Sequence, residues 1–383
     1  MSVTSPKGFL ASGVMAGLKS SGNRDVALIV NQGPKYVAAG VFTKNRVRAA
    51  PVTWSEQVLK SAALKAVILN SGGANACTGP EGFADTHRTA EYVATALTIA
   101  PIDVAVCSTG LIGQRLPMDK ILDGIDVAVA QLSQDGGTNA ALAIMTTDSV
   151  SKQALVERDG WSIGGMAKGA GMLAPGLATM LVVITTDAKL DPKQADAALR
   201  TATSLSFDRI DSDGCMSTND TVLLLASGAS NVQPNESQFV EALTELCLDL
   251  ARQLIGDAEG ATKDIRIEVI NSASESDALE VAREVSRSNL LKCAIHGQDP
   301  NWGRVLSAVG TTQAAFEPDQ IDVALNGVWV CRNSMTGDDR NLVDMTAREV
   351  HITINLNAGS QSATLWTNDL TAMYVHENSA YSS

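Results

Sequence analysis

The sequence has few histidines and no paired cysteines, and both shortages restrict its chemistry. None of the six cysteines forms a Cys-x-x-Cys pair, and the four histidines show no metal-ligand spacing, so no metal site is expected. The cysteines are widely spaced, several within apolar runs, which indicates small buried thiols in a reducing compartment. No histidine is convincing as the base for a serine or cysteine nucleophile. That favours a nucleophile that carries its own base.

Long apolar runs and nucleotide-binding fingerprints are also missing. No run approaches the roughly 18–20 residues of a membrane span, and an N-terminus interrupted by Gly8, Gly13 and Gly17 makes a poor signal peptide. We therefore expect a soluble, cytoplasmic protein. Neither G-x-x-x-x-G-K-[ST] nor a Rossmann fingerprint occurs. The net charge of −13 argues against nucleic acid or an anionic membrane as the main partner.

Short apolar runs and helical periodicity predict a mixed fold. Strands are predicted at VALIV and YVAAGVF (within 26–43), Val67–Leu69, Ile102–Val106, Ala154–Val156, Leu181–Ile184 and Ile265–Ile270. Helices are predicted at 83–97, 119–145, 192–206, 234–255 and 276–293. Two antiparallel strands, 351–356 and 362–368, are expected to close the chain. The irregular order of strands and helices indicates an α+β or layered α/β fold.

The stretch from Gly164 to Leu190 is the most informative part of the chain. A glycine-rich run carrying Lys168 is followed by a turn at Pro175-Gly176 and by the strand Leu181–Ile184. The simplest interpretation is a flexible loop or hairpin that feeds a buried strand, with Thr179 an ordinary strand residue. A second interpretation is an uncleaved loop that binds an anion.

A third interpretation makes Thr179 a nucleophile that is unmasked by cleavage of the Ala178–Thr179 bond. A threonine with a free α-amine carries its own base, because an α-amine has a pKa of about 7.7–8.0 and can accept the hydroxyl proton near neutrality. Small Ala178 and the preceding turn leave the carbonyl accessible to the Thr179 hydroxyl. Self-cleavage through an ester is therefore chemically reasonable.

A second candidate site follows the strand Ile102–Val106, which opens into Ser108, Thr109 and Gly110. Small and hydroxyl residues at a strand end expose backbone N–H groups, which can form an anion or oxyanion site. An ordinary glycine-containing turn would have the same composition.

Motifs along the whole chain resemble those of the ornithine acetyltransferase (glutamate N-acetyltransferase) family. They occur in the family's order: VCSTGLIGQRLPMDK, AIMTTD, KGAGMLAPGLATML, STNDT, DAEGATK, DPNWGR and NSAYSS. The resemblance implies a layered α/β/β/α architecture similar to N-terminal-nucleophile hydrolases, with a second α/β region after the nucleophile strand. It also implies cleavage into an α chain, 1–178, and a β chain, 179–383, which assemble as α2β2.

The same resemblance implies the activity and the site. Thr179 would accept acetyl from N2-acetylornithine and pass it to glutamate, with Thr109 and Gly110 as the oxyanion-hole pair. Substrate-binding positions map onto Thr146, Lys168, Thr179, Glu259, Asn378 and Ser383, although the alignment does not distinguish Thr146 from Thr147. Lys168 would suit a substrate carboxylate and Glu259 its amine. With Asn378 and Ser383 in the pocket, the polar tail is expected to be ordered.

No metal and no bound cofactor is implied by this family resemblance. It leaves open whether acetyl-CoA serves as a second acetyl donor. A self-processing aminopeptidase of related fold would share the nucleophile but transfer the acyl group to water.

Overall fold

Residues 2–174 and 180–380 are described by the computed structural model of the chain. They form two units. The first unit contains the described residues between 2 and 208 together with Cys215–Leu254. The second contains Arg209–Gly214 and the described residues from 255 to 380. The predicted division into chains 1–178 and 179–383 does not coincide with a boundary between the two units. It stays a prediction.

The first unit contains two sheets. One has the strand order β1-β2-β4-β5 and the other the order β3-β9-β8-β7-β6. The strands are β1 (Phe9–Val14), β2 (Val26–Asn31), β3 (Val37–Phe42), β4 (Ala66–Asn70), β5 (Val104–Ser108), β6 (Lys152–Arg158), β7 (Trp161–Lys168), β8 (Leu181–Thr186) and β9 (Thr221–Ala226). Both β4 and β8 are buried along their whole length. Continuous apolar runs suit strands that are covered on both faces.

Helices pack against the faces and edges of these sheets. They are α1 (Ala50–Val58), α2 (Gly79–Leu97), α3 (Met118–Ala130), α4 (Gly137–Ala143), α5 (Pro192–Leu205) and α6 (Glu236–Gly256). One buried cluster joins residues of both sheets, including Leu69 and Leu223. Another joins the four-stranded sheet to α2 and α3 through Val93 and Ile121. On the other side, α6 packs against β7. This arrangement is the predicted α/β/β/α layering.

Helix α1 covers the edge strand β5, whose outer backbone groups would otherwise have no partner. The Ser55 hydroxyl donates to the Val106 carbonyl at 2.7 Å and accepts the Val106 N–H at 2.9 Å. The Trp54 indole N–H donates to the Val104 carbonyl at 3.0 Å. These hydrogen bonds fix the strand whose end carries Ser108 and Thr109.

The glycine-rich run was predicted as a flexible loop, and this prediction is wrong for its first half. Gly164 and Gly165 lie in β7, which is almost entirely buried. A side chain at Gly165 would meet Leu246 and Leu250 of α6 at 3.0 Å. Glycine is therefore used here for close packing of a helix on a strand rather than for mobility.

Strands β7, β8 and β9 bring the ends of distant segments together. β7 and β8 are antiparallel, and Lys168 pairs with Leu181. β8 and β9 are parallel, and Leu181 pairs with Thr221. The carboxyl end of β7 and the amino ends of β8 and β9 therefore lie side by side.

The second unit is built on a six-stranded sheet of order β13-β12-β11-β14-β10-β15. Its elements are β10 (Asp264–Ser272), α7 (Glu275–Ser286), α8 (Asn289–His296), α9 (Trp302–Val309), β11 (Asp322–Leu325), β12 (Val328–Arg332), β13 (Met335–Thr336), β14 (Glu349–Asn355), β15 (Gln361–Asn368) and α10 (Ala372–Ala380). Its core joins strand residues such as Ile267 and Ile352 to Val281 and Val309 of the helices. The predicted second α/β region is therefore present.

Several predicted elements have different boundaries in the structure. The helices predicted at 119–145 and 276–293 are each split in two, α3 with α4 and α7 with α8. β14 and β15 do not pair with each other, because β10 lies between them, parallel to β14 and antiparallel to β15. The strands β1, β9 and β11–β13 and the helices α1 and α10 were not predicted. Three cysteines, Cys77, Cys215 and Cys293, are exposed rather than buried.

Within the described ranges, no helix has the length and apolar character needed to cross a membrane.

Candidate functional site

Thr109 and Gly110 directly follow β5, where the chain turns toward the β4 end. The Thr109 N–H donates to the Asn70 carbonyl at 3.0 Å, and the Thr109 carbonyl accepts the Gly73 N–H at 3.0 Å. Gly110 has φ +129°, and a side chain there would meet the Gly73 nitrogen at 2.7 Å, so glycine is required. The Gly110 N–H makes no hydrogen bond within residues 2–174 and 180–380.

The two predicted site residues Thr109 and Lys168 are in contact. The Lys168 ammonium donates to the Thr109 hydroxyl oxygen at 3.3 Å, and both residues are buried, with 2% and 3% exposure. A hydroxyl that accepts one hydrogen bond still has its own proton to donate. The Thr109 hydroxyl and the Gly110 N–H are therefore the donors that this turn can offer to an oxyanion, since the Thr109 N–H is already used.

Asp148 lies among the lysines next to Thr109 and Lys168. One carboxylate oxygen accepts the Lys152 ammonium at 2.6 Å and the Gly169 N–H at 2.6 Å. The other accepts the Thr146 N–H at 3.0 Å. Burial alone would raise the pKa of Asp148, but the charges of Lys168 and Lys152 outweigh it and lower the pKa to about 2. The carboxylate is therefore ionised, and it connects Thr146 to the end of β7.

Lys19 adds a further cation near Thr146. Its ammonium donates to the Met145 carbonyl at 2.6 Å and to the Arg24 carbonyl at 2.8 Å. Burial and, to a smaller extent, the charge of Lys168 lower the pKa of Lys19 to about 8, whereas the charge of Asp25 opposes this shift. A substrate carboxylate would find positive potential on this side of the cluster.

Asn219 fixes the β5 end from the opposite side. Its amide donates to the Ala74 carbonyl at 2.6 Å and to the Ser108 carbonyl at 2.8 Å. The Ser108 hydroxyl in turn donates to the Asn70 side chain at 2.6 Å. This network holds the residue immediately before Thr109 in one position, as an oxyanion site requires.

The predicted residues of the second unit also meet. The Asn378 amide donates to the Glu259 carboxylate at 2.9 Å and to the Tyr374 carbonyl at 3.0 Å. Asn378 lies on α10, so this part of the tail is helical, in agreement with the expected order. Gly260 has φ +63°, and a side chain there would meet the Tyr374 nitrogen at 2.3 Å. The glycine allows the Glu259 loop to approach α10 closely.

Three predicted residues lie outside the described residues: Ala178, Thr179 and Ser383. The structure therefore brings Thr109 to Lys168, links Thr146 to the same cluster through Asp148, and joins Glu259 to Asn378. Thr146 and Thr147 are both half-buried, so burial does not separate them. The catalytic and substrate-binding roles of all these residues stay predictions.

Sequence reasoning missed Asp148, Asn219 and Lys19. Asp148 ends the AIMTTD motif and Asn219 lies inside STNDT, so a polar residue within a recognised motif was the available signal. Lys19 had no local signal, because its role depends on a contact 126 residues away. Among the described residues, no group of three or more histidine, cysteine or acidic side chains could hold a metal ion.

Comparison with known proteins gives matches over nearly the entire chain. A model of the ArgJ family matches residues 10–383. The arginine biosynthesis bifunctional protein ArgJ of Streptomyces avermitilis is 67% identical over 383 residues, covering 100% of both chains. Its counterpart from Mycobacterium tuberculosis is 55% identical over 389 residues, covering 100% of this chain and 96% of that protein. A solved structure, ornithine acetyltransferase complexed with ornithine from Mycobacterium tuberculosis, is 58% identical over 47% of this chain and 96% of that one, with a TM-score of 0.45.

Proposed function

This chain belongs to the ArgJ family, and we propose that it transfers the acetyl group of N2-acetylornithine to glutamate through an ester on Thr179. The observation that carries the proposal is the buried contact between Lys168 and Thr109, held by Asp148 beside the amino end of β8. It supplies hydroxyl and cationic groups for an acyl-transfer site next to the strand that Thr179 precedes.

The first half-reaction forms the acetyl-enzyme. The Thr179 hydroxyl attacks the acetyl carbonyl of N2-acetylornithine while the α-amine of Thr179 accepts the hydroxyl proton. Charge develops on the carbonyl oxygen, and the Thr109 hydroxyl and Gly110 N–H stabilise it. When the C–N bond breaks, the α-ammonium returns the proton to the departing amine of ornithine.

The second half-reaction reverses these steps with glutamate. The glutamate amine attacks the ester carbonyl, the Thr179 α-amine and hydroxyl take up the protons, and N-acetylglutamate leaves. Lys168 attracts the carboxylate of either amino acid, Glu259 attracts a substrate amine, and Asn378 is a further substrate-binding position. The transfer is a ping-pong reaction, since one product leaves before the second substrate binds.

This mechanism requires a free α-amine on Thr179. We therefore propose self-cleavage at Ala178–Thr179 into chains of 178 and 205 residues, which assemble as α2β2 in the cytoplasm. No metal or bound cofactor takes part. Acetyl-CoA as a second acetyl donor for glutamate fits the word "bifunctional" in the names of the relatives.

The test is a transfer assay with purified protein and N2-acetylornithine, with and without glutamate. We expect N-acetylglutamate and ornithine in equal amounts when glutamate is present and almost no ornithine release when it is absent. Thr179→Ala should remove the activity, whereas the matched variant Thr179→Ser keeps a hydroxyl and an α-amine and should retain part of it.

Equal ornithine release with and without glutamate would instead indicate an acylase or aminopeptidase that transfers the acyl group to water. Ligand binding by an uncut chain without any transfer would indicate an anion-binding protein. Replacing N2-acetylornithine by acetyl-CoA in the same assay tests the second donor.

A further inference from the structure

Asp220 lies beside the amino end of β8, and neither half-reaction uses it. It ends the segment that leads into β9 and is fully buried, with 0% exposure. One carboxyl oxygen accepts the Met180 N–H at 3.1 Å, and the neighbouring Thr221 N–H donates to the Met180 carbonyl at 3.1 Å. Asp220 and its neighbour Thr221 therefore hold the two backbone groups of Met180, the residue that immediately follows Thr179 in the chain.

The second carboxyl oxygen of Asp220 has no hydrogen-bond partner within the described residues. Buried polar atoms are nearly always hydrogen-bonded, so this oxygen is unusual among buried carboxyl groups. Burial raises the pKa of Asp220 well above its ordinary value, against the Met180 N–H, smaller contributions from nearby Ser217 and the charge of Lys168. Burial therefore favours the neutral, protonated form of this carboxyl.

Other buried acids in the first unit are satisfied on both oxygens. Asp148 and Asp25 bind lysine or backbone N–H groups through each oxygen. Asp187, at the other end of β8, accepts the Lys7 N–H at 3.1 Å and the Ser162 N–H at 2.8 Å on its two oxygens. Asp220 differs from them in two ways. One of its oxygens is unpaired, and the other binds Met180, which lies one residue after the predicted cleavage bond.

We propose that Asp220 is the proton-transfer group of the self-cleavage reaction before Thr179. This inference rests on the proposed cleavage and assigns it a residue outside the nucleophile itself. In the uncut chain the Thr179 nitrogen belongs to a peptide bond and cannot act as a base. The precursor therefore needs another group to move the proton, and Asp220 is a buried acid in contact with the residue next to Thr179.

The step balances within the chain. The Thr179 hydroxyl oxygen forms an ester bond with the Ala178 carbonyl carbon, and the bond from that carbon to the Thr179 nitrogen breaks. The protonated Asp220 carboxyl donates its proton to the departing nitrogen, and the resulting carboxylate accepts the proton of the Thr179 hydroxyl. Asp220 ends as it began. Water then hydrolyses the ester and releases the Ala178 carboxylate.

The experiment follows cleavage of newly synthesised full-length chains by intact mass over time. Asp220→Asn keeps the oxygen that accepts the Met180 N–H but removes the acid. We expect its cleavage to be at least about 100-fold slower than that of the wild type, as for loss of a general acid–base group. The few chains that are cut should have a transfer rate per cut chain within about threefold of the wild type, because the mature enzyme uses its α-amine.

Two further variants separate proton transfer from a structural role. Asp187→Asn removes a buried acid at the opposite end of the same strand and should cleave at the wild-type rate. In the uncut Thr179→Ala background, adding Asp220→Asn should leave the melting temperature unchanged or raise it, because an unsatisfied acid is replaced.

Wild-type cleavage of Asp220→Asn would overturn the inference while the proposed function stands. A large loss of melting temperature in the Thr179→Ala background would also overturn it, since Asp220 would then be a structural residue. A wild-type chain that is never cut is a different failure, because it contradicts the proposed function itself.

Discussion

The two groups of predicted site residues differ in how firmly the protein holds them. In the first unit, Thr109 and Lys168 are buried, and Asp148 connects Lys168 to Lys152 and to two backbone N–H groups. In the second unit, Glu259 is half-buried and its partner Asn378 is exposed, on the last described helix. The side chains of the first group are enclosed by protein, whereas those of the second group are partly or fully in contact with water.

Burial explains why their contributions should differ. Charges that are removed from water interact strongly and must be paired, so loss of one partner leaves the other uncompensated. Exposed polar contacts exchange readily with water and contribute about 0–1 kcal/mol. We therefore expect substitutions in the buried cluster to have larger effects than substitutions at the exposed pair.

The largest effect is expected for Asp148→Asn. It removes the carboxylate between Lys152 and Lys168, and we expect a loss of about 3–5 kcal/mol in the free energy of unfolding. Urea unfolding at pH 7 measures it. Asp103→Asn removes an acid from a pair with Lys65 near the surface and is the matched control. A loss below about 1 kcal/mol for Asp148→Asn would contradict a buried, charge-paired cluster.

For the same variant, we predict that the loss in unfolding free energy depends on pH. The pKa of Asp148 is lowered in the folded protein to about 2, below its ordinary value of about 3.9 when unfolded. Its stabilising contribution is therefore complete above pH 4 and decreases as the pH falls toward 2. The difference in unfolding free energy between wild type and Asp148→Asn should shrink over that interval. A difference that is constant down to pH 2 would mean that Asp148 is not ionised at pH 7.

The next effect is expected for Thr109→Val, which keeps the shape of the side chain but removes its hydroxyl. Loss of one oxyanion donor should lower kcat for acetyl transfer by about 10²–10³, with little change in KM. Thr109→Ser retains the hydroxyl and should recover most of the rate. Steady-state kinetics per cut chain, quantified by mass, measures both. An unchanged kcat in Thr109→Val would remove the hydroxyl from the mechanism.

The smallest effect is expected for Asn378→Ala. The hydrogen bond to Glu259 is exposed, so stability should change by less than about 1 kcal/mol. The KM for N2-acetylornithine should rise severalfold while kcat stays near the wild-type value. Ser379→Ala, one position further on the same helix, is the control. A larger effect on kcat than on KM would place Asn378 with the buried cluster instead.

The sequence was sufficient for the features that depend on local pattern. Continuous apolar runs correctly indicated strands such as β4 and β8, and the periodicity of α6 was recognised within two residues at its start. The layered architecture followed from the family resemblance. In each of these features, the residues that carry the signal are also those that form the element.

Features that depend on distant contacts were not predictable. Gly164 and Gly165 suggested a flexible loop, yet Leu246 and Leu250 are 81 or more positions away and convert the segment into a packed strand. The pairing of β10 between β14 and β15 also joins segments far apart in the chain. For the site, Thr109, Lys168 and Glu259 came from motif similarity. The unpaired oxygen of Asp220 appears only when the structure shows what surrounds it.

The most direct test of the account is the intact mass of the purified protein under denaturing conditions, with the N-terminal sequence of each fragment. The account predicts two fragments of about 19 and 21 kDa, in proportion to the residues on each side of the predicted bond in the 40.0 kDa chain. The larger fragment should begin Thr-Met-Leu-Val. A single mass of 40.0 kDa in a preparation that transfers acetyl groups would contradict an N-terminal threonine nucleophile.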